Sequence, residues 1–134
     1  MIIATWNINS VRLRLEQVLR LIKDQNINII CLQETKTQDE YFPYDSFKKI
    51  GMNYQYYRGE KSYNGVSILS NFKLEDENFI NWCGKNDTRH ISVKLNKNIE
   101  LHNFYIPAGG DEPHIVKNPK FGHKFSFLNE MKQF

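Results

Sequence analysis

The sequence predicts an α/β fold that opens with a strand, a helix and a second strand, and two patterns carry that expectation. Ile2-Ile3-Ala4-Thr5-Trp6 and Ile27-Asn28-Ile29-Ile30-Cys31-Leu32 are short, β-branched apolar runs. The second is too short for a helix and continuous enough to be covered on both faces. Between them Leu15, Val18, Leu19 and Ile22 recur at i, i+3, i+4 and i+7, which puts them on one apolar helix face. Strand, helix and strand in this order imply a parallel pair.

The other elements follow along the chain. Asn9 or Ser10 offers the first helix an N-cap, and the helix is expected to end near Asn26. Asp45-Ser46-Phe47-Lys48-Lys49 supplies one or two helical turns before Gly51. Tyr54–Arg58, Gly65–Leu69, Ile91–Leu95 and Ile99–Phe104 read as four further strands, the last two joined by a hairpin at Asn96-Lys97-Asn98. Asp76-Glu77-Asn78 reads as polar loop. From Ile106 to Pro119 the chain is loop, broken by Pro107, Gly109-Gly110 and Pro113. A final helix then places Phe121, Phe125 and Leu128 on one face with Met131 beside it. It reaches Phe134 without a stop signal, so the chain is expected to end inside an element. If a sheet built from residues 1–105 normally faces a second sheet roughly 10 Å away, its inner face has no partner in this reading.

Composition narrows the function. A length of 134 residues suits one domain and excludes a two-domain enzyme. With 40% hydrophobic and 25% charged residues the chain should bury a core. A net charge of +3 permits an anionic partner but is far from the excess of a tail that grips nucleic acid by charge alone. Cys31 and Cys83 lie in apolar or aromatic surroundings without CxxC or His-rich spacing, which argues against zinc and for buried thiols in a reducing compartment. No signal-peptide pattern and no apolar run near the roughly 18 residues of a membrane span occurs, so a cytoplasmic protein with no membrane partner is expected. GxSxG, Walker A, GxGxxG and HExxH are all absent, and the four histidines are dispersed.

The chemistry is concentrated at strand exits, where open α/β sheets build their sites. Leu32-Gln33-Glu34-Thr35-Lys36 delivers a carboxylate directly after a buried strand, which suits Mg²⁺; a solvated Glu34 paired with Lys36 is the plainer alternative. Trp6-Asn7-Ile8-Asn9 leaves the first strand, so Asn7 and Asn9 should emerge near Glu34. Tyr63-Asn64-Gly65-Val66 is a turn into a strand, from which Tyr63 could meet a substrate. Arg89 could hold a phosphate or be an ordinary surface residue. Asn103-Phe104-Tyr105-Ile106-Pro107-Ala108-Gly109-Gly110 brings the Tyr105 phenol to the same edge, where it could donate to developing charge.

Taken in order, these motifs resemble the exonuclease III family of apurinic/apyrimidinic endonucleases, and the resemblance continues through Asn118-Pro119-Lys120-Phe121 and Phe127-Leu128-Asn129-Glu130-Met131 to the last helix. It implies the N-terminal half of a four-layer α/β sandwich of the DNase I-like kind, a mixed sheet with flanking helices. It also implies Mg²⁺, with Mn²⁺ as an alternative, held by Glu34 and by Asn9, where some relatives carry Asp. Asn7 would orient the catalytic groups and Tyr105 would contact the scissile phosphate. Lys36, Tyr63 and Arg89 would face DNA. The implied reaction is hydrolysis of a phosphodiester in double-stranded DNA, 5′ to an abasic site or at a 3′ end.

The family's second half supplies an Asp-x-Asn at the end of an apolar strand, a further metal-side Asp and a Ser-Asp-His; here Asp24-Gln25-Asn26 closes the first helix, Asp76-Glu77-Asn78 reads as polar loop and no Ser-Asp-His occurs, so none of the three is supplied. Residues 1–134 are therefore expected to be a partial domain, inactive alone and lacking a C-terminal half of the same fold. Two other readings remain: a non-catalytic chain that retains metal or DNA binding, and another phosphodiesterase or phosphatase branch of the superfamily.

Overall fold

The computed structural model describes all of Met1–Phe134 and contains two compact units, Met1–Ile80 with Asp87–Tyr105, and Asn81–Asn86 with Ile106–Phe134. The first contains β1 (Ile3–Asn7), α1 (Leu15–Asp24), β2 (Ile29–Gln33), α2 (Tyr44–Lys49), β3 (Tyr54–Glu60), β4 (Tyr63–Ser70), β5 (Glu75–Asn78), β6 (His90–Asn96) and β7 (Ile99–Phe104). The second contains a 3₁₀ turn at Trp82–Gly84 and α3 (Pro119–Gln133).

β1 and β2 pair in parallel, Ile3 opposite Ile29 and Asn7 opposite Gln33, as the opening pattern requires. Antiparallel β4 and β3 complete a mixed sheet in the order β1-β2-β4-β3. All five residues of β2 are buried because the strand is covered on both faces. Ile30 and Leu32 pack with Val18 and Ile22 of α1 and with Phe47 and Met52 around α2. Ile29 and Cys31, on the opposite face, pack with Val66 and Ile68 of β4 and with Ile91 and Val93 of β6. Each such aliphatic side chain contributes about 1.5–3 kcal/mol when fully buried, and burial pushes the Cys31 thiol up to about 12, as expected of an inert thiol.

That second cluster overturns one expectation. The inner face of the first sheet has a partner in this chain, a separate antiparallel sheet in the order β5-β6-β7. It was missed partly because Glu75-Asp76-Glu77-Asn78 has no apolar pattern and all four residues are exposed. β5 is nevertheless a strand, held by pairing with β6 and by Lys94 Nζ donating to Asp76 Oδ2 at 2.8 Å. The hairpin between β6 and β7 falls where expected.

Three local expectations are also corrected. α1 is not capped by Asn9 or Ser10; it begins at Leu15 after Arg14. The preceding backbone is committed elsewhere, with Ser10 N donating to Glu34 O at 2.7 Å and Val11 N to Thr35 O at 3.0 Å. Asn64-Gly65 is not the β3–β4 turn, which lies at Lys61-Ser62. It is instead a bulge in β4, since Glu60 faces Tyr63 while Arg58 faces Val66. Cys83, expected to be buried, is partly exposed.

In the second unit, α3 starts at Asn118, whose Oδ1 accepts from Lys120 N and Phe121 N while its Nδ2 donates to Gly109 O and Glu112 O. The buried residue of α3 is Phe127, against which Trp82 packs with ring centroids 5.6 Å apart. The expected face fails here, because Phe125 and Leu128 are 45% and 42% exposed. Their spacing is helical, but the Trp82 turn selects a different face of the helix.

Candidate active site

Three chain segments are laced together by backbone hydrogen bonds at one end of the first sheet. The loop after β1 donates to the carbonyls of Glu34 and Thr35, as described above. The loop after β2 donates in turn to the bulge in β4, Thr35 N to Gly65 O at 3.2 Å and Lys36 N to Asn64 O at 2.9 Å. This lacing forces unusual backbone: Asn9, Ser10, Glu34, Lys36 and Asn64 all have positive φ, between 41° and 93°. Non-glycine residues there carry strain on the order of 1 kcal/mol or more, and such strain gathers at functional sites. Gly65, with φ +93°, is required twice over, since a Cβ there would also collide with Thr35 Oγ1.

A buried amide pair fixes the strand exits. Asn103 of β7 donates from Nδ2 to Leu32 O and Ser67 O, both at 2.9 Å, and accepts from Gln33 Nε2 at 2.6 Å. Gln33 also donates to Thr5 Oγ1 at 3.0 Å. These bonds tie the second sheet to the first one residue before Glu34 and two residues before Tyr105.

Glu34 then becomes the centre of a cluster. Asn7 Nδ2 donates to its Oε1 at 2.8 Å, Lys36 Nζ lies 2.9 Å from its Oε2, and the Tyr105 hydroxyl donates to it as well. Partial burial pushes the Glu34 carboxyl upward, but the three hydrogen bonds and the Lys36 charge outweigh it and hold the group below its ordinary value. Burial, and then the neighbouring carboxylate, push the Tyr105 phenol upward, so it remains a donor. Lys36 Nζ also donates to Asn9 Oδ1 at 2.5 Å. Asn7, Asn9, Glu34, Lys36 and Tyr105 are thus together, as their positions at strand exits predict.

Arg89 and Tyr63 are placed differently from one another. Tyr63 is 58% exposed at the start of β4. Arg89, expected on an open DNA-facing edge, is buried at 7% exposure. Its Nε meets Asp87 Oδ2 at 2.7 Å and Nη1 donates to Tyr105 O. Its guanidinium lies 4.7 Å from the Tyr105 ring centroid, and Tyr105 N donates to Arg89 O. Arg89 therefore supports Tyr105 from behind. Sequence reasoning passed over Gln33 and Asn103 as site-building residues, although both stand at strand exits. It also passed over Arg12, which with Ser10, Leu13, Lys36 and Ser62 lines an open depression of about 480 Å³.

The donor set fits a hard divalent cation. Glu34 and Asn9 offer oxygens, no His or Cys belongs to the cluster, and the Lys36 ammonium already shows that the two oxygens converge on one positive charge. Mg²⁺ is commonly held by one or two carboxylates while keeping several waters.

Two packed sheets flanked by helices, with a cluster of polar side chains gathered around Glu34 at the strand exits, define a protein of the two-sheet α/β class. The chain belongs to the Endonuclease/Exonuclease/phosphatase family, whose model matches residues 4–133. It is 29% identical over 135 residues to exodeoxyribonuclease III of Haemophilus influenzae, covering 97% of this chain and 49% of the relative. Among solved structures it is similar to an AP endonuclease from Archaeoglobus fulgidus, with TM-score 0.88, 33% identity and coverage of 100% of this chain and 51% of the other. It is also similar to the 3′ phosphatase NExo from Neisseria bound to a product DNA hairpin, with TM-score 0.87, 30% identity and coverage of 98% and 50%. The resemblance drawn from the motifs holds, and the chain spans about half the length of the relatives it matches. No helix is long and apolar enough to cross a membrane.

Proposed function

We propose that residues 1–134 form the cation-binding and phosphate-clamping side of a Mg²⁺-dependent phosphodiesterase that acts on double-stranded DNA at abasic sites or 3′ ends. The observation that carries this reading is the Glu34 carboxylate, kept ionised at an open strand exit by Asn7, Lys36 and Tyr105. Its relatives include an exodeoxyribonuclease, an AP endonuclease and a DNA-bound 3′ phosphatase, which supports DNA as substrate. A cytoplasmic location belongs to the same reading.

Glu34 and Asn9 are the residues that would hold Mg²⁺, or Mn²⁺ in its place. When bound, the ion supplies Lewis-acid stabilisation of charge on phosphate oxygens. Asn7 orients the Glu34 carboxylate through Oε1. Tyr105, seated on Arg89, presents a phenolic proton that can turn to a phosphate oxygen as charge develops. Lys36 and Tyr63 face the DNA backbone, with Arg12 beside them.

Proton removal from water is a different matter. The groups around Glu34 are an amide, an ammonium and a protonated phenol, all donors, and Glu34 itself, held below its ordinary value by those donors, is a weak proton acceptor, so the cluster holds no group suited to act as the general base. Residues 1–134 by themselves should therefore bind cation and DNA without turnover. A further half of the same fold would complete the site, in keeping with relatives about twice as long.

The test is fluorescence anisotropy and cleavage of a labelled abasic-site duplex, with Mg²⁺ and with EDTA. Mg²⁺-strengthened binding without cleavage is expected, and Glu34→Gln should lose the Mg²⁺ response while still folding. A Glu34→Gln protein with the full Mg²⁺ response overturns the reading.

A further inference from the structure

The cation at this site is at present a side chain. Lys36 Nζ lies 2.9 Å from Glu34 Oε2 and 2.5 Å from Asn9 Oδ1, oxygens contributed by two different loops. All three residues are held at positive φ, 47° at Asn9, 54° at Glu34 and 50° at Lys36, and this shared strain brings the three groups together. The charges also balance: Asn9 is neutral, so the oxygen pair carries one negative charge, matched by one ammonium. A divalent ion added beside that ammonium would leave the pair with two uncompensated positive charges, and like charges a few ångströms apart repel strongly where water is partly excluded.

We propose that Lys36 is the resident counter-ion of the Glu34–Asn9 oxygen pair and competes directly with the divalent cation for it. The inference rests on the reading of Glu34 as a metal-binding carboxylate and adds a regulation of that same site. Lys36 must withdraw from both oxygens before they can serve a metal. It has somewhere to go, because its side chain is about 30% exposed and lines the open depression shared with Ser10, Arg12, Leu13 and Ser62. There the released ammonium stands next to Arg12, a pairing that favours an anion. Metal entry at Glu34 and phosphate capture by Lys36 are then two halves of one exchange, and each promotes the other.

The experiment measures free Mn²⁺ by electron paramagnetic resonance during titration of the purified 134-residue protein, which reads binding without any activity. Far-UV circular dichroism verifies that each variant is folded. Lys36→Met keeps the length of the stem and removes the charge; Lys36→Gln is a second neutral variant should the first misfold. Both should bind Mn²⁺ roughly three- to tenfold more tightly than the unaltered protein, in keeping with removal of a partly exposed ion-pair competitor, and Glu34→Gln should bind more weakly. Unchanged or weaker binding in the Lys36 variants, with binding lost in Glu34→Gln, overturns the competition and leaves the metal reading standing. Unchanged binding in Glu34→Gln, or no uptake by any of these proteins at millimolar metal, overturns the metal reading and the competition with it.

Discussion

Two polar clusters in the first unit resolve their charge in opposite ways. Around Glu34 the partners are an amide, an ammonium and a phenol, and the carboxyl is held in its charged form at an open edge. At His90, on β6, the ring is 1% exposed. Ile80 N donates to its Nδ1 at 2.9 Å, so that nitrogen carries no proton, and Nε2 faces His102 Nδ1 at 3.0 Å. Burial, then the nearby His102 and Arg58, push the imidazole down to about 4, only partly opposed by Glu100. Hydrogen bonds that stabilise a charge make a place to work on ions. Hydrogen bonds that require a neutral ring close a structure. Both clusters are rich in polar atoms, so polarity alone does not distinguish a site from a seam.

The comparison is broken most severely by removing the amide that supports the Glu34 side. Asn103→Leu leaves Leu32 O, Ser67 O and Gln33 Nε2 without their buried partner. It should cost about 3–4 kcal/mol, read as a lowered midpoint in urea unfolding. Gly65→Ala strikes the same end through the backbone, combining positive φ with a collision at Thr35. A loss of about 2–3 kcal/mol is expected in the same assay.

The closed cluster should show itself through pH. Because the folded His90 sits below the ordinary value of 6.5, the unfolded chain binds the proton first. The stability that depends on neutral His90 is complete above pH 6.5 and is lost as pH falls toward 4. Over that window the loss should be on the order of 1–3 kcal/mol, and His90→Gln should flatten that part of the stability profile. An unchanged slope in His90→Gln would move the effect to other groups.

The smallest effect on stability belongs to Glu34→Gln. Its carboxyl lies below its ordinary value, so whatever stability its charge contributes is present above that value and lost as pH falls through the lowered one. The pair with Lys36 is partly solvated, so the change at neutral pH should stay within about 1 kcal/mol by thermal unfolding. An open carboxylate that barely affects folding, beside an amide that folding cannot spare, is the expected contrast. Comparable losses from Glu34→Gln and Asn103→Leu would erase it.

Much of the fold was legible. The βαβ opening, the β6–β7 hairpin and the meeting of Asn7, Asn9, Glu34 and Tyr105 follow from apolar period and from polar residues placed at strand exits. What was illegible has identifiable causes. β5 is all polar and exposed, so only its backbone pairing with β6 makes it a strand. Arg89 looks like any rim arginine until Asp87 and the Tyr105 ring are seen around it. The face of α3 was misassigned because several apolar residues compete, and Trp82, far away in sequence, selects Phe127.

The sequence by itself determined most of the strands and helices, β5 excepted, and which residue types arrive at the strand exits, because both are local properties set by side-chain period along the chain. Only the tertiary structure decided that a second sheet covers the first, that Lys36 rests between Glu34 and Asn9, and that His90 is closed while Glu34 is open. Those outcomes depend on strand register within each sheet and on contacts between the sheets that join residues up to about seventy positions apart, as the bond from Gln33 to Asn103 does. Register is chosen by the summed burial and hydrogen bonding of both sheets at once, which no single stretch of sequence carries.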